Sequence, residues 1–247
     1  MRIDVEQERM KMKKVVLDSK SHQGIRHLGT EAVYYGAAAP SAGSWKGRRL
    51  TGFQSALTSR GYALEISDLS PDRLTGEAIL VVAGRMQQVP FSIAETASIA
   101  AFCNHGGSLL LMANHMGHVT PQNQLAEALR LPIRFHETTV APEKQKLIFR
   151  TEHPISKDCN SGLKIRTSCT MTLEKCPSAT VLAEYEDRDF GPFAVALEHE
   201  GRPRRRTVAM TSAGHISSDD DTHADLWAAD ANATWTLNII DWLAYRL

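Results

Sequence analysis

The sequence predicts an α/β fold, a mostly parallel sheet wound with helices on both sides and extended by antiparallel strands in its C-terminal half. Three observations carry that expectation. Uninterrupted apolar runs occur at residues 15–17, 78–83 and 109–113, and runs without alternation mark strands buried on both faces. Amphipathic helical stretches alternate with them through residue 130. Each run ends abruptly in polar residues, with Asp18 after the first, Gly84 and Arg85 after the second, and Asn114, His115, Gly117 and His118 after the third.

In chain order, residues 1–13 form a polar arm, and the fold begins at Lys14 with the strand VVLD. The loop SKSHQGIRHLGT carries His22 and His27, and the Ala, Gly and Ser content of the next stretch reads as a long loop over 30–49. Phe53 and Leu57 at helical spacing, a stop at Gly61 and the strand 62–66 follow. FSIAETASIAAFCNHGG opens with Ser92 as an N-cap and Glu95 three residues on, a capping box, and closes at Gly106. In TPQNQLAEALRLPIRF, Thr120 is the expected cap, Pro121 the first helical residue and Pro132 the stop. KLIFR, LKIRTSCTMTL and ATVLAEY read as antiparallel additions to a sheet edge, and FAVALEHEGRPRRRTVAMTSAG as a hairpin. NATWTLNIIDWL places Trp235, Ile239, Trp242 and Leu243 on one face of a closing helix. This predicts a three-layer α/β/α, flavodoxin-like arrangement in one domain over 14–247, since no linker divides it.

Composition removes several function classes. The 28 basic and 28 acidic residues cancel, so no global field favours nucleic acid or an anionic membrane. The cluster of Arg202, Arg204, Arg205 and Arg206 reads as a solvated hairpin tip. Cys103, Cys159, Cys169 and Cys176 lack zinc-ligand spacing and read as reduced, structural thiols. No apolar run approaches the ~20 residues of a membrane span, and the N-terminal stretch lacks a signal-peptide core. A cytoplasmic location is the expectation.

The strand GGSLLLMANH following a Phe-Ser-capped helix, the motif HPIS at 153–156 and the closing NATWTLNIIDWL together resemble a branch of the class I glutamine-amidotransferase-like α/β domains that lacks the catalytic Cys. The resemblance spans 14–247. It sets His115 where the nucleophile elbow would carry Cys, retains Gly117 and His118, and puts Gly84 where the family forms an oxyanion hole. In place of a His-x-Glu, a later strand end offers His215 with Asp219, Asp220 and Asp221. Without a thiolate to attack an amide carbonyl, glutaminase activity is not expected.

If the strands are parallel, Asp18, His22, Gly84, Arg85, Asn114, His115, His118 and His215 gather at their carboxyl ends, where open α/β sheets bind ligands. One reading is a binding module for a small polar ligand or a protein partner, an operon neighbour or a second copy, with Asp18, His22, Gly84, Arg85 and Asn114 lining the site. The other is a hydrolase acting on an amide, ester or sugar-derived substrate, with His115, His118 and His215 as catalytic imidazoles. In that reading His115, His118 and Asp18 could hold a divalent transition metal that activates water. Arg85 could clamp an anion or pair with Asp18. Tyr34, Tyr35 and Trp45 in the 30–49 loop could form a lid or bury against a second subunit.

Overall fold

The computed structural model describes residues 13–21, 25–28, 31–34, 48–74, 78–114, 117–150, 152–159, 162–165, 167–199, 204–213, 216, 227–228 and 231–247, with only the backbone at 25–28, 31–34, 48–49 and 51. His22, His115, His215, Tyr35, Trp45 and Asp219 to Asp221 lie outside the described residues.

The strands are β1 (Lys13–Asp18), β2 (Ile25–Leu28), β3 (Glu31–Tyr34), β4 (Arg48–Arg49), β5 (Tyr62–Ser67), β6 (Ile79–Ala83), β7 (Ser108–Met112), β8 (Ile133–His136), β9 (Leu147–Phe149), β10 (Thr170–Leu173), β11 (Ala179–Tyr185), β12 (Pro192–His199) and β13 (Arg205–Met210). The helices are α1 (Thr51–Ser59), α2 (Ile93–Asn104), α3 (Val119–Ala128) and α4 (Asn232–Leu243).

Eight strands form the main sheet in the order β5-β1-β6-β7-β13-β12-β11-β9. The first five are mutually parallel, and β12, β11 and β9 extend the β13 edge with antiparallel pairing. Counted along the chain, the parallel strands lie in the order second, first, third, fourth, fifth. The winding therefore reverses between β1 and β6, and a crevice between strand ends is expected there. Strands β10 and β8 form a separate antiparallel pair, and β2, β3 and β4 a small antiparallel sheet.

Successive side chains of a strand point to opposite faces, and the buried residues divide accordingly. Val15, Leu17, Val81, Leu110 and Val208 join one apolar cluster with Phe53 and Leu57 of α1 and with Trp235 and Ile239 of α4. Val16, Leu80, Val82, Leu109 and Leu111 join a second with Ile99 and Phe102 of α2 and with Leu125 of α3. The continuous apolar runs of the sequence are explained by this two-sided burial.

Four expectations change. LKIRTSCTMTL does not join the edge of the main sheet as KLIFR and ATVLAEY do, because its β10 pairs with β8 in a separate ladder. The stretch read as a loop over 30–49 contains β3 and β4, which with β2 make an antiparallel ladder. Pieces of two to four residues among Ala, Gly and Ser are too short to show a period-two pattern. Helix α3 begins at Val119, one residue before the expected cap, with His118 at the N-cap position and no side-chain cap. Pro121 is its third residue, still in the first turn, where the missing N–H has no intrahelical partner to lose. The basic hairpin is also not simply solvated. The Arg206 guanidinium lies 4.5 Å from the Trp242 ring and 4.3 Å from Tyr245, and donates to the Trp242 carbonyl at 2.6 Å and to Glu198 at 3.0 Å.

HPIS and the closing helix, two of the stretches that carry the family resemblance, pack on one another. Residues Pro154–Ser156 form a 3₁₀ turn, and the His153 ring packs tilted against Trp242 at 5.5 Å. The Asn238 amide donates to the carbonyls of Ile155 (3.1 Å) and Lys157 (2.9 Å). Asn232 Oδ1 accepts from the Lys164 N–H (3.0 Å) while its Nδ2 donates to the Lys164 carbonyl (2.9 Å). Helix α4 thus holds the segment between β9 and β10.

Trp235 is fully buried in α4, edge-to-face with Phe149 at 5.3 Å. Trp235→Ala is expected to cost about 3–5 kcal/mol, read as a lowered midpoint in urea denaturation.

Candidate functional site

The carboxyl ends of β1 and β6 are joined by an ion cluster. Asp18 closes β1, Arg85 follows β6 at Gly84, and Glu95 stands in the first turn of α2, so three elements each deliver one charged group. The Arg85 and Asp18 side chains are fully buried and Glu95 is 9% exposed. Arg85 Nε and Nη2 donate to Asp18 at 3.0 and 2.8 Å, Nη1 and Nη2 to Glu95 at 3.1 and 3.0 Å, and Nη1 also to the Pro90 carbonyl at 3.3 Å. Each of the five guanidinium N–H groups therefore has a protein acceptor. Phe91 covers the guanidinium at 4.0 Å from its ring centroid. Of the two roles open to Arg85, it takes the pairing with Asp18.

The acids are equally engaged. Asp18 also accepts from the Lys20 N–H at 3.1 Å and the Ser21 hydroxyl at 3.4 Å, and Ser21 Oγ accepts from the Ala83 N–H at 2.8 Å. A single bridge between Ser21 and Arg85 closes the crevice at the reversal point. Glu95 completes the capping box by accepting from the Ser92 N–H at 2.8 Å, and accepts from Lys20 Nζ at 3.0 Å. Burial opposes ionisation of Glu95, but the hydrogen bonds from Arg85, Ser92 and Lys20 outweigh it and bring its pKa down to about 2. Burial likewise works against the Arg85 charge, and Asp18 and Glu95 more than offset it, raising its pKa further.

Beside this cluster, the ends of β6, β7 and β13 bring Gly84, Asn114, His118 and Ala213 together. A Cβ on Gly84 would lie 3.3 Å from His118 Nδ1, 3.6 Å from Ala213 Cβ and 3.8 Å from Asn114 Cβ, and Gly84 has φ +68°. Close approach and backbone conformation both require glycine here. His118, 4% exposed, donates from Nδ1 to the Gly84 carbonyl at 2.6 Å. In the neutral ring that tautomer places the lone pair on Nε2. Asn114, 3% exposed, accepts from the Thr167 hydroxyl at 2.7 Å, and Thr167 is itself held by Ser212 Oγ donating to its carbonyl at 3.0 Å.

The backbone donors around Gly84 are engaged within the protein. The Gly84 N–H donates to the Met112 carbonyl at 2.8 Å and the Gln87 N–H to the Gly117 carbonyl at 2.5 Å. Fully buried Gln122 of α3, with its amide oriented to satisfy both partners, accepts from the Arg85 N–H at 2.6 Å and donates to the Arg85 carbonyl at 3.2 Å and to the His118 carbonyl. Gln122 thus serves Arg85 as a neighbouring strand would.

Of the residues singled out in the sequence, the structure brings Asp18 to Arg85 and groups Gly84, Asn114 and His118; His22, His115 and His215 lie outside the described residues. Sequence reading missed Gln122 and Thr167. A lone Gln in an amphipathic helix and a Thr among β-favouring residues carry no periodic signal. Glu95 was legible as a cap but not as an Arg85 partner. Among the described residues, no group of three His, Cys, Asp or Glu side chains is arranged to hold a metal. The Cys103 thiol is buried in α2, and burial pushes its pKa up to about 11, which suits a core residue.

No family model matches the sequence, and no curated protein matches it. Solved structures do. The mmIFT52 N-terminal domain superposes with a TM-score of 0.63 at 14% identity, covering 93% of this chain and 97% of that one. The cytoplasmic protein STM3548 from Salmonella typhimurium superposes at 0.62 with 15% identity, covering 94% and 98%. At such identities the likeness concerns the fold alone. A match to the exo-beta-1,4-mannosidase Op5Man5 from Opitutaceae bacterium strain TAV5 has a TM-score of 0.46 and 14% identity, covering 99% of this chain and 37% of that one.

Arg85→Met leaves buried Asp18 without its cation and Glu95 with Lys20 alone, and a loss of about 3–5 kcal/mol is expected in urea unfolding. The Glu95 contribution has a defined pH dependence. Its folded pKa of about 2 lies below the ordinary 4.5, so its stabilisation is complete above about 4.5 and is lost as pH falls toward 2. The stability difference between the wild type and Glu95→Gln should therefore be largest near pH 6 and shrink steadily below 4.5.

Proposed function

We propose that this chain is a non-glutaminase, amidotransferase-like domain, three-layer α/β/α with a flavodoxin-like sheet, that binds a small polar ligand at the carboxyl ends of β6, β7 and β13. The observation that carries the reading is the engagement of the backbone donors at Gly84 and Arg85. An acyl-transfer site needs N–H groups aimed at the developing oxyanion. Here the Gly84 N–H is directed to Met112 and the Arg85 N–H to Gln122. The surroundings suit recognition instead, with a buried Asn, an oriented imidazole and a glycine that lets both pack closely at the end of β6. The two helix-bearing apolar clusters support the three-layer reading, and the strand order supports the flavodoxin-like one. Among the described residues no helix is long and apolar enough to cross a membrane, and a cytoplasmic location without membrane or nucleic-acid partners fits this reading.

One observation favours the metal-assisted or His-based hydrolase as a second reading. The His118 Nδ1–H bonded to a backbone carbonyl is the device that orients metal-binding imidazoles. Asp18 counts against it, because four protein donors already surround its carboxylate.

Thermal denaturation with a panel of neutral amides, sugars and hydroxy acids tests the binding reading. At saturating concentration at least one compound should raise the Tm by about 5 °C, and Asn114→Leu, folded by circular dichroism, should abolish the response. No response to any compound, or ammonia release from glutamine, overturns it. About one transition metal per chain by elemental analysis, lost in His118→Ala, would establish the second reading instead.

A further inference from the structure

The side-chain orientations at the strand ends narrow the chemistry of the ligand, on the reading that this is a binding site. The Asn114 carboxamide is planar, with an acceptor on one side and two donors on the other. Its Oδ1 receives the Thr167 hydroxyl at 2.7 Å, while Nδ2 has no acceptor among the described residues. Thr167 cannot drift, because Ser212 Oγ donates to its carbonyl and the Cys169 N–H, two residues on, donates to the Thr211 carbonyl at 3.1 Å. A hydroxyl can donate to Oδ1 but would set its own hydrogen against those of Nδ2 unless it turned to accept. The fixed Thr167 therefore biases the amide to present its donors.

The charges beside Asn114 point the same way. Arg85 and Lys20 are matched by Asp18 and Glu95, and each Arg85 N–H is directed to one of those acids or to Pro90. The cluster thus carries no net charge to attract an anion. Two hard-cation donors among the described residues here are also engaged, Asn114 Oδ1 by Thr167 and the Asp18 carboxylate by Arg85, Lys20 and Ser21.

We infer that Asn114 Nδ2 is the recognition donor of the strand-end site for a neutral ligand carrying an acceptor oxygen, an amide or ketone carbonyl, and that Thr167 is its positioning residue. A donor on a side chain only 3% exposed, with no acceptor among the described residues, favours a ligand that supplies one, and an unmatched ligand donor would leave two groups unpaired.

Three fragments of similar size separate the alternatives, 2-pyrrolidone as a neutral carbonyl, butyrate as an anion and pyrrolidine, protonated at neutral pH, as a cation. Each is titrated into ¹⁵N-labelled protein while the Asn114 Nδ2 resonances are followed. 2-Pyrrolidone should shift them saturably and bind at least tenfold more tightly than the other two. Thr167→Val should weaken its binding about tenfold and erase the preference, Thr167→Ser should restore both, and Asn114→Asp should lose 2-pyrrolidone while gaining pyrrolidine. Tighter binding of butyrate or pyrrolidine to the wild type, or Thr167→Val binding unchanged, overturns the inference while leaving a strand-end binding site in place. Absence of any shift at Asn114 with all three, together with no response in the thermal panel, overturns the inference and the binding reading alike.

Discussion

Burial of a guanidinium between two carboxylates is the interaction that organises the carboxyl end of this sheet. Taking charges out of water costs several kcal/mol per ion, and the cost is recovered only where geometry is good and the remaining donors and acceptors are filled. Arg85 meets that condition through paired contacts to Asp18 and Glu95, a fifth bond to Pro90 and the face of Phe91. Its position dictates others. Asp18 must end β1 beside β6, Glu95 must lie in the first turn of α2, and the chain after β1 must turn so that Ser21 reaches Ala83. The crevice that a reversed winding order opens between β1 and β6 is in this way filled by the protein's own side chains. Asn114 and Ser212 stand one and two strands further on, past the ends of β7 and β13.

A second device recurs at the periphery of the strands. Gln122, Asn123 and Asn232 each meet both the N–H and the carbonyl of a single residue, Arg85, Phe135 and Lys164 respectively. A carboxamide offers one donor and one acceptor side by side, the same pair a neighbouring strand offers, so it can satisfy backbone where no strand follows. Two of these residues are consecutive in α3 and serve different segments, which fixes that helix against β8 and against the end of β6. The third, helped by Asn238, fixes the excursion between β9 and β10 on α4. Asn114 differs from them because, among the described residues, only its oxygen is engaged, by a hydroxyl and not by backbone.

The parts of this arrangement that were legible in the sequence are those governed by repeated patterns. The apolar runs at 15–17, 78–83 and 109–113 became β1, β6 and β7 because a strand buried on both faces favours apolar residues at consecutive positions. The Ser92 and Glu95 spacing became a capping box because the first-turn N–H groups need acceptors. Asn114, His118 and Gly84 were legible as neighbours because parallel strands deliver their ends to one edge. Residues acting once, in one direction, were not legible. Thr167 and Gln122 have ordinary surroundings in sequence, and only the fold reveals which atoms they face. Short strands such as β3 and β4 escaped because their hydrogen bonds, not their side chains, define them. The HPIS and NATWTLNIIDWL stretches were legible as motifs, and the structure gives them a packing reason, the docking of a 3₁₀ turn on a helix.

The same framework spans nearly the whole of two solved structures at 14 and 15% identity, so it demands little of particular residues. Chemistry then depends on which atoms at the strand ends remain unengaged. An acyl-transfer enzyme on such a frame must keep backbone N–H groups at the end of β6 directed outward, and must forgo the stability their internal partners would add. In this chain Met112 and Gln122 accept those N–H groups, the adjacent charges cancel, and the Asn114 amide nitrogen meets no acceptor among the described residues. Turning those two N–H groups toward a substrate oxyanion would require breaking bonds that hold the end of β6 to β7 and to α3.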